Sequence, residues 1–187
     1  WHADVNNRSL ENFLFAAVEA GASEAFRKLD PELAWKCRKT AEEDFAFAQE
    51  RFNRVGVEQP HMEEHTSNAG KSQYYAAAAW AAARLYRYTG KEIYRDAAVR
   101  YADLLVKCQE QGDGGPAGGY FYHDESKNVI VHFSHQSRDY LFAVALREVC
   151  EACADCRGRK AWESALNLHG AYLKYLASFS SPYGMLP

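Results

Sequence analysis

The stretch from Ser72 to Cys108 constrains the fold more than any other. It opens Ser72-Gln73-Tyr74-Tyr75, runs through Ala76–Ala79, Trp80 and Ala81–Ala83 to Tyr86, passes Thr89-Gly90, and resumes from Ile93 to Cys108. The first half is small or apolar on nearly every side, which predicts a helix buried all round. The second carries Ile93, Ala97, Tyr101, Leu104, Leu105 and Cys108 at helical spacing, with Lys91, Arg95, Arg100 and Lys107 largely off that stripe. Gly90 stands where a helix ends in the left-handed conformation. The short turn after it forces the two helices to run antiparallel.

A helix with no polar face needs neighbours on all sides, and the rest of the chain can supply them. A helix is expected from Ser9, as N-cap, to about Leu29, burying Leu10, Phe13, Leu14, Ala17, Val18 and Ala25. Asp30-Pro31 breaks and restarts it, with Asp as N-cap and Pro at the first helical position. The next helix carries Leu33, Cys37, Ala41, Phe45, Ala48 and Phe52 on one face. After a loop over 54–70 comes the central pair, then a glycine-rich segment over 112–134. Within that segment Gly119–His123 and Asn128–Phe133 read as a short β-hairpin around Asp124-Glu125-Ser126-Lys127. A fifth helix is expected from about His135 to Ala154 and a sixth from about Arg159 to Phe179. Ala34-Trp35, Ile93-Tyr94 and Ala161-Trp162 each open the second helix of a pair. Their spacing is roughly 60 residues, longer than common solenoid repeats and suited to stacked hairpins of long helices. An aromatic at that position can wedge between neighbouring pairs.

The fold class is therefore all-α: about three antiparallel hairpins around an axis, in a single helical domain over 1–187, with a β flap at 119–133. The 48% hydrophobic and 25% charged content suits a globular chain of 187 residues. A net charge of −3 without a basic face argues against a nucleic-acid partner. No apolar run is long enough for a membrane partner either. Five cysteines in a chain this long are read as mostly free, buried thiols. The opening Trp1-His2-Ala3 lacks both Met and a signal-like segment, so the chain is expected to be part of something longer.

Alternation of helices places the short within-pair turns, near 30, 90 and 157, at one end of the stack. The longer between-pair segments then gather at the other end. Six of the seven histidines fall there: His2, His61, His65, His123, His132 and His135. Trp1, Asp4, Asp113, Tyr120, Tyr122 and Asp124 join them. Long loops on one rim of a rigid scaffold are where binding concentrates, although His and Gly also favour exposed loops for no functional reason.

Asp30-Pro31-Glu32-Leu33-Ala34-Trp35-Lys36-Cys37 with Phe45-Ala46-Phe47-Ala48, and Tyr75 through Trp80 to Leu85-Tyr86-Arg87-Tyr88-Thr89-Gly90 and Tyr94, resemble the six-hairpin toroid glycosidases. They are most similar to family-nine glycoside hydrolases of the endoglucanase type, over roughly residues 16–108, with Pro182-Tyr183-Gly184 similar to a later loop. The resemblance implies part of a carbohydrate-active enzyme that cleaves β-linked glycans, without a cofactor, and secreted or periplasmic. It implies about half of a toroid. The family's catalytic Asp pair would then lie upstream of residue 1 and its catalytic Glu downstream of Pro187. Ser72-Gln73 stand where that family usually has Asp-Glu. Apolar cut faces would then pair with another copy or with the missing half of the toroid. Two other readings stay open. One is a toroid epimerase or polysaccharide lyase using His as acid and base on uronic acids or amino sugars. The other is a non-catalytic helical-repeat binding module.

Glycoside cleavage needs two carboxyl groups about 5–10 Å apart. No such pair stands out, and Asp4, Asp113, Asp124 and Glu125 read mainly as solvated or turn-forming. Substrate contact is the better expectation. By strand alternation Tyr120 and Tyr122 share a face and could stack on a sugar ring, with Phe121 on the other face. His132, His135, Arg138 and Asp139 form the densest polar cluster, entering the fifth helix, and could hold hydroxyls or a carboxylate. His123, Trp1, His2 and Asp4 complete the candidate substrate-binding set. His61-Met62-Glu63-Glu64-His65 matches an inverted zinc-protease pattern, but a zinc site needs a third ligand and both His on one turn, so no metal is assigned. Cys150, Cys153 and Cys156 lack a fourth thiolate for a cluster and read as core. His169 reads as a core histidine.

Overall fold

The computed structural model describes residues 8–58, 70–112, 115–131 and 140–180. Its six described α-helices are α1 (Ser9–Phe26), α2 (Pro31–Val55), α3 (Lys71–Thr89), α4 (Glu92–Lys107), α5 (Tyr140–Ala152) and α6 (Arg159–Ala177). They form three antiparallel hairpins side by side in two layers. The odd helices make one layer, with α3 between α1 and α5; the even helices pack behind their partners. No helix among the described residues is long and apolar enough to cross a membrane.

Local chemistry explains the boundaries. Asp30 caps α2 through a 3.0 Å bond from the Leu33 N–H, with Pro31 at the first position. Gly90 ends α3 at φ 68°, its N–H bonded to the Tyr86 carbonyl at 2.8 Å. Ser9 is not the N-cap of α1. Arg8 holds that position, and the Ser9 hydroxyl instead donates to Glu58 at 2.6 Å, beyond the end of α2. A longer-range carboxylate outcompetes the local cap.

Burial of α3 follows the sequence closely: all seven alanines from Ala76 to Ala83 are inaccessible. Small side chains let α1 and α5 approach it from both sides. The stripe on α1 is rotated from the expected one. Phe13, Ala16, Ala17 and Ala20 are buried, while Val18 is 56% exposed and Ala25 is also exposed. Described helices cover α1 only on its α2 and α3 sides. Ile93 is 67% exposed because Tyr94 takes the inward position of α4, edge-on to Phe45 of α2 at 5.5 Å. The wedge repeats one hairpin on, where the buried Trp162 indole of α6 donates to Asp103 of α4 at 2.8 Å. Trp35, at the same position of the first pair, is 52% exposed.

Between α4 and α5 the chain forms the flap. It is broader than a hairpin. The end of α4 contributes a first edge: the Tyr122 N–H donates to the Cys108 carbonyl at 2.8 Å and the Glu110 N–H to the Tyr120 carbonyl at 2.9 Å. The second edge follows, with the Val131 N–H on the Phe121 carbonyl and the His123 N–H on the Val129 carbonyl, both 2.8 Å. Asp124 closes the turn through the Ser126 N–H at 2.9 Å. Among the described residues pairing is limited to isolated antiparallel bridges.

Candidate functional site

The N-termini of α1 and α3, the C-termini of α2 and α4, and the flap meet at one end of the stack. The Ser72 N–H at the start of α3 donates to the His123 carbonyl at 2.9 Å. Gly70 permits this approach, since a Cβ there would lie 2.6 Å from the His123 backbone. Glu58 receives Ser9 of α1 and Arg51 of α2, and its backbone exchanges bonds with the Tyr74 hydroxyl of α3. Burial pushes the Glu58 carboxyl up, but Arg51 and Ser9 outweigh it and hold it below its usual range. Glu58 thus ties the first three helices together at the rim.

On the flap, alternation holds. Phe121 points inward and stacks on Phe142 of α5 with centroids 4.2 Å apart. Tyr120 and Tyr122 share the other face, their rings 5.2 Å apart and their hydroxyls 3.1 Å apart. Tyr122 donates to Glu110 at 2.8 Å, which leaves Tyr120 as donor to Tyr122. The other Glu110 oxygen accepts the Gly112 N–H at 2.8 Å. That backbone donor, with Tyr122, holds the Glu110 carboxyl below its usual value. Tyr120, and then Glu110, push the Tyr122 phenol above its ordinary range, so it stays a neutral donor. Tyr172 of α6 extends the row at 5.8 Å from Tyr120, and the Lys127 ammonium lies 5.9 Å from the Tyr122 ring centre. Beside this row the Tyr75 hydroxyl donates to Glu125 at 2.9 Å.

The flap is anchored from behind. Gln109 is fully buried and donates to the carbonyls of Gly119 at 3.1 Å and Ala165 at 2.9 Å. His169 donates from Nδ1 to the same Gly119 carbonyl at 3.0 Å, and burial pushes its pKa below the usual value. It is a core histidine. Gly119 sits at φ 109°, where a Cβ would meet the Leu168 carbonyl oxygen at 2.4 Å.

Of the sequence-derived candidates, Tyr120, Tyr122 and His123 are described, and the flap brings all three to this rim. His132, His135, Arg138, Asp139, Trp1, His2 and Asp4 lie outside the described residues, as do His61 and His65. Sequence reasoning missed Glu110, Tyr172 and Tyr75. Glu110 had a signal, being the first acidic residue after α4 and facing a Tyr-x-Tyr strand. Tyr172 had none, because only packing brings α6 to the flap.

The described rim carboxyls Glu58, Glu110 and Asp124 are all held below their usual values. Asp124 owes this chiefly to Ser126. Glu19 of α1 is pushed up to about 7, by burial and then by Asp44, and Asp44 itself is raised by burial and then by Glu43. Glu19 lies ten residues along α1 from Ser9, roughly 15 Å from the rim at the helical rise. Glu58, Glu110 and Asp124 therefore offer acceptors beside the aromatic faces of the rim.

A family model of glycosyl hydrolase family 9 matches residues 9–169, most of the chain. The chain belongs to that family. It is a family-nine glycoside hydrolase chain whose substrates are glycans. Searches of curated proteins and of solved structures gave no match. Family-nine membership accounts for the stacked all-helical hairpins and favours glycan hydrolysis over the epimerase, lyase and binding-module readings.

Proposed function

We propose that residues 8–180 supply substrate-binding surface to a family-nine hydrolase of β-linked oligo- or polysaccharides. Tyr120, Tyr122 and Tyr172 are the stacking platform. A sugar ring presents an apolar face of C–H bonds, and an aromatic ring with a polar edge suits it. Glu110 sets the platform by fixing the Tyr122 hydroxyl, and it retains lone pairs for a sugar hydroxyl. In this reading His123, His132, His135, Arg138, Asp139, Trp1, His2 and Asp4 complete the rim as hydrogen-bonding partners. The observation that carries the reading is the ordered Tyr120–Tyr122–Glu110 chain on the outer face of the flap.

Titration calorimetry with soluble β-glucan oligosaccharides tests it. Tyr122→Ala is expected to weaken binding about tenfold, equivalent to roughly 1.4 kcal/mol. Tyr122→Phe keeps the ring and should lose less. His135→Ala tests the wider rim. Binding by the wild type that neither Tyr122→Ala nor His135→Ala weakens would overturn the assignment.

The exposed face of α1 bears on partners. Phe15 and Val18 are 55% and 56% exposed, and Leu29 beyond the helix is 81% exposed. With Trp35 they stand where a preceding hairpin would stack, by analogy with Tyr94 and Trp162. We assign this face to a further hairpin of the same kind. For the isolated chain a second copy is its source.

A further inference from the structure

At the opposite end of the stack, the α5–α6 turn carries Cys153-Ala154-Asp155-Cys156. The Cys153 N–H closes the last turn on the Val149 carbonyl at 2.8 Å, and the Cys156 N–H donates to the Cys153 carbonyl at 3.0 Å. A turn closed in this way brings its first and last Cα atoms within about 7 Å, near the separation a disulfide spans. The two thiols are neighbours across this turn. Their surroundings differ sharply. Cys153 is inaccessible, and burial, followed by its Cys156 neighbour, pushes its thiol up to about 12. Cys156 is half-buried and lines a groove of about 510 Å³ together with Arg95, Arg100, Asp103 and Arg157. The Arg95 guanidinium lines the same groove as Cys156 and pairs with Asp155 at 3.1 Å and Glu92 at 3.2 Å. Cys150 sits one helical turn earlier, beside Glu163 and Arg159, and burial pushes its thiol up to about 11.

We propose that Cys153 and Cys156 form a thiol–disulfide pair, with Cys156 as the attacking thiol in the groove and Cys153 as the resolving thiol behind it. The co-substrate is a low-molecular-weight disulfide. The Cys156 thiolate attacks one of its sulfurs, forming a mixed disulfide and releasing one small thiolate, which takes up a proton. Cys153 then gives up its proton to water and attacks the Cys156 sulfur, expelling the second small thiolate. Two protein thiols are oxidised to one disulfide as one small disulfide is reduced to two thiols. The asymmetry follows from access, since Cys156 lines the groove while Cys153 is inaccessible behind it. This site is independent of the glycan-binding rim.

Peptide mapping of the native chain after limiting iodoacetamide should find Cys156 labelled first among the five cysteines. Oxidised glutathione should give a Cys153–Cys156 disulfide, seen as a loss of two hydrogens and reversed by dithiothreitol. Cys153→Ser should stop at the glutathione adduct on Cys156, and Cys156→Ser should leave Cys153 unmodified. Faster labelling of Cys37 than of Cys156, a Cys150–Cys153 link, or a glutathione adduct that persists in the wild type would each overturn the proposal. The wild-type products decide the matter even if a serine variant fails to fold.

Discussion

Two glutamates show how burial acts with opposite sign according to its company. Glu148 of α5 is 2% exposed, yet it meets Arg84 at 3.1 Å, Arg87 at 3.3 Å and Arg147 at 3.0 Å. Burial raises its carboxyl, but the arginines outweigh this, Arg84 first, and hold it below its ordinary value. A depressed folded-state pKa means that the ion pairs stabilise above the ordinary value near 4.5 and that this is lost as pH falls through the folded pKa. Glu148→Ala should cost about 1–3 kcal/mol at pH 7, because the abandoned arginines keep partial access to water. Thermal melts should show the difference from wild type shrinking toward low pH. Glu19 is the reverse case. Pushed up to about 7, it makes the fold bind more protons than the unfolded chain, so its contribution falls as pH rises from about 4.5 to 7. Glu19→Gln should therefore raise the melting temperature at pH 8, by roughly one or two degrees for a half-buried group, and change nothing near pH 4. A gain at low pH instead would refute this account of Glu19.

Among elements, the flap depends most on tertiary support. Its bridges are isolated, and two or three short edges are marginal alone. Gln109 and His169 hold it through one carbonyl, that of Gly119. Gly119→Ala adds a methyl against the Leu168 backbone at a φ disfavoured for alanine. A loss of roughly 2 kcal/mol or more is expected, together with weaker glycan binding, because Tyr120 follows directly. Calorimetric melting and oligosaccharide titration on the same variant check both. Unchanged binding despite a lower melting temperature would separate the flap from the sugar platform. Helix α3 is legible for the opposite reason. Alanine on every side leaves it one place, between two other helices.

For the whole molecule, the layered row of described helices is open at α1. An exposed face with Phe15, Val18 and Leu29 is expected to drive self-association. Sedimentation velocity should show a concentration-dependent dimer, and Phe15→Lys with Val18→Lys should make it monomeric without lowering the melting temperature. A wild type that stays monomeric throughout would refute pairing with a second copy. Residue pattern alone determined the helical hairpins, the Asp30 cap, the Gly90 stop and the shared face of Tyr120 and Tyr122, because each follows from spacing or backbone preference within a few residues. Only the tertiary structure decided that α1 buries Ala16 in place of Val18, that Ser9 serves Glu58, that Glu110 and Tyr172 join the tyrosine row, and that Arg95 lines one groove with Cys156. Most of those outcomes depend on which neighbour arrives from tens of residues away, or fails to arrive, and local spacing carries little record of it.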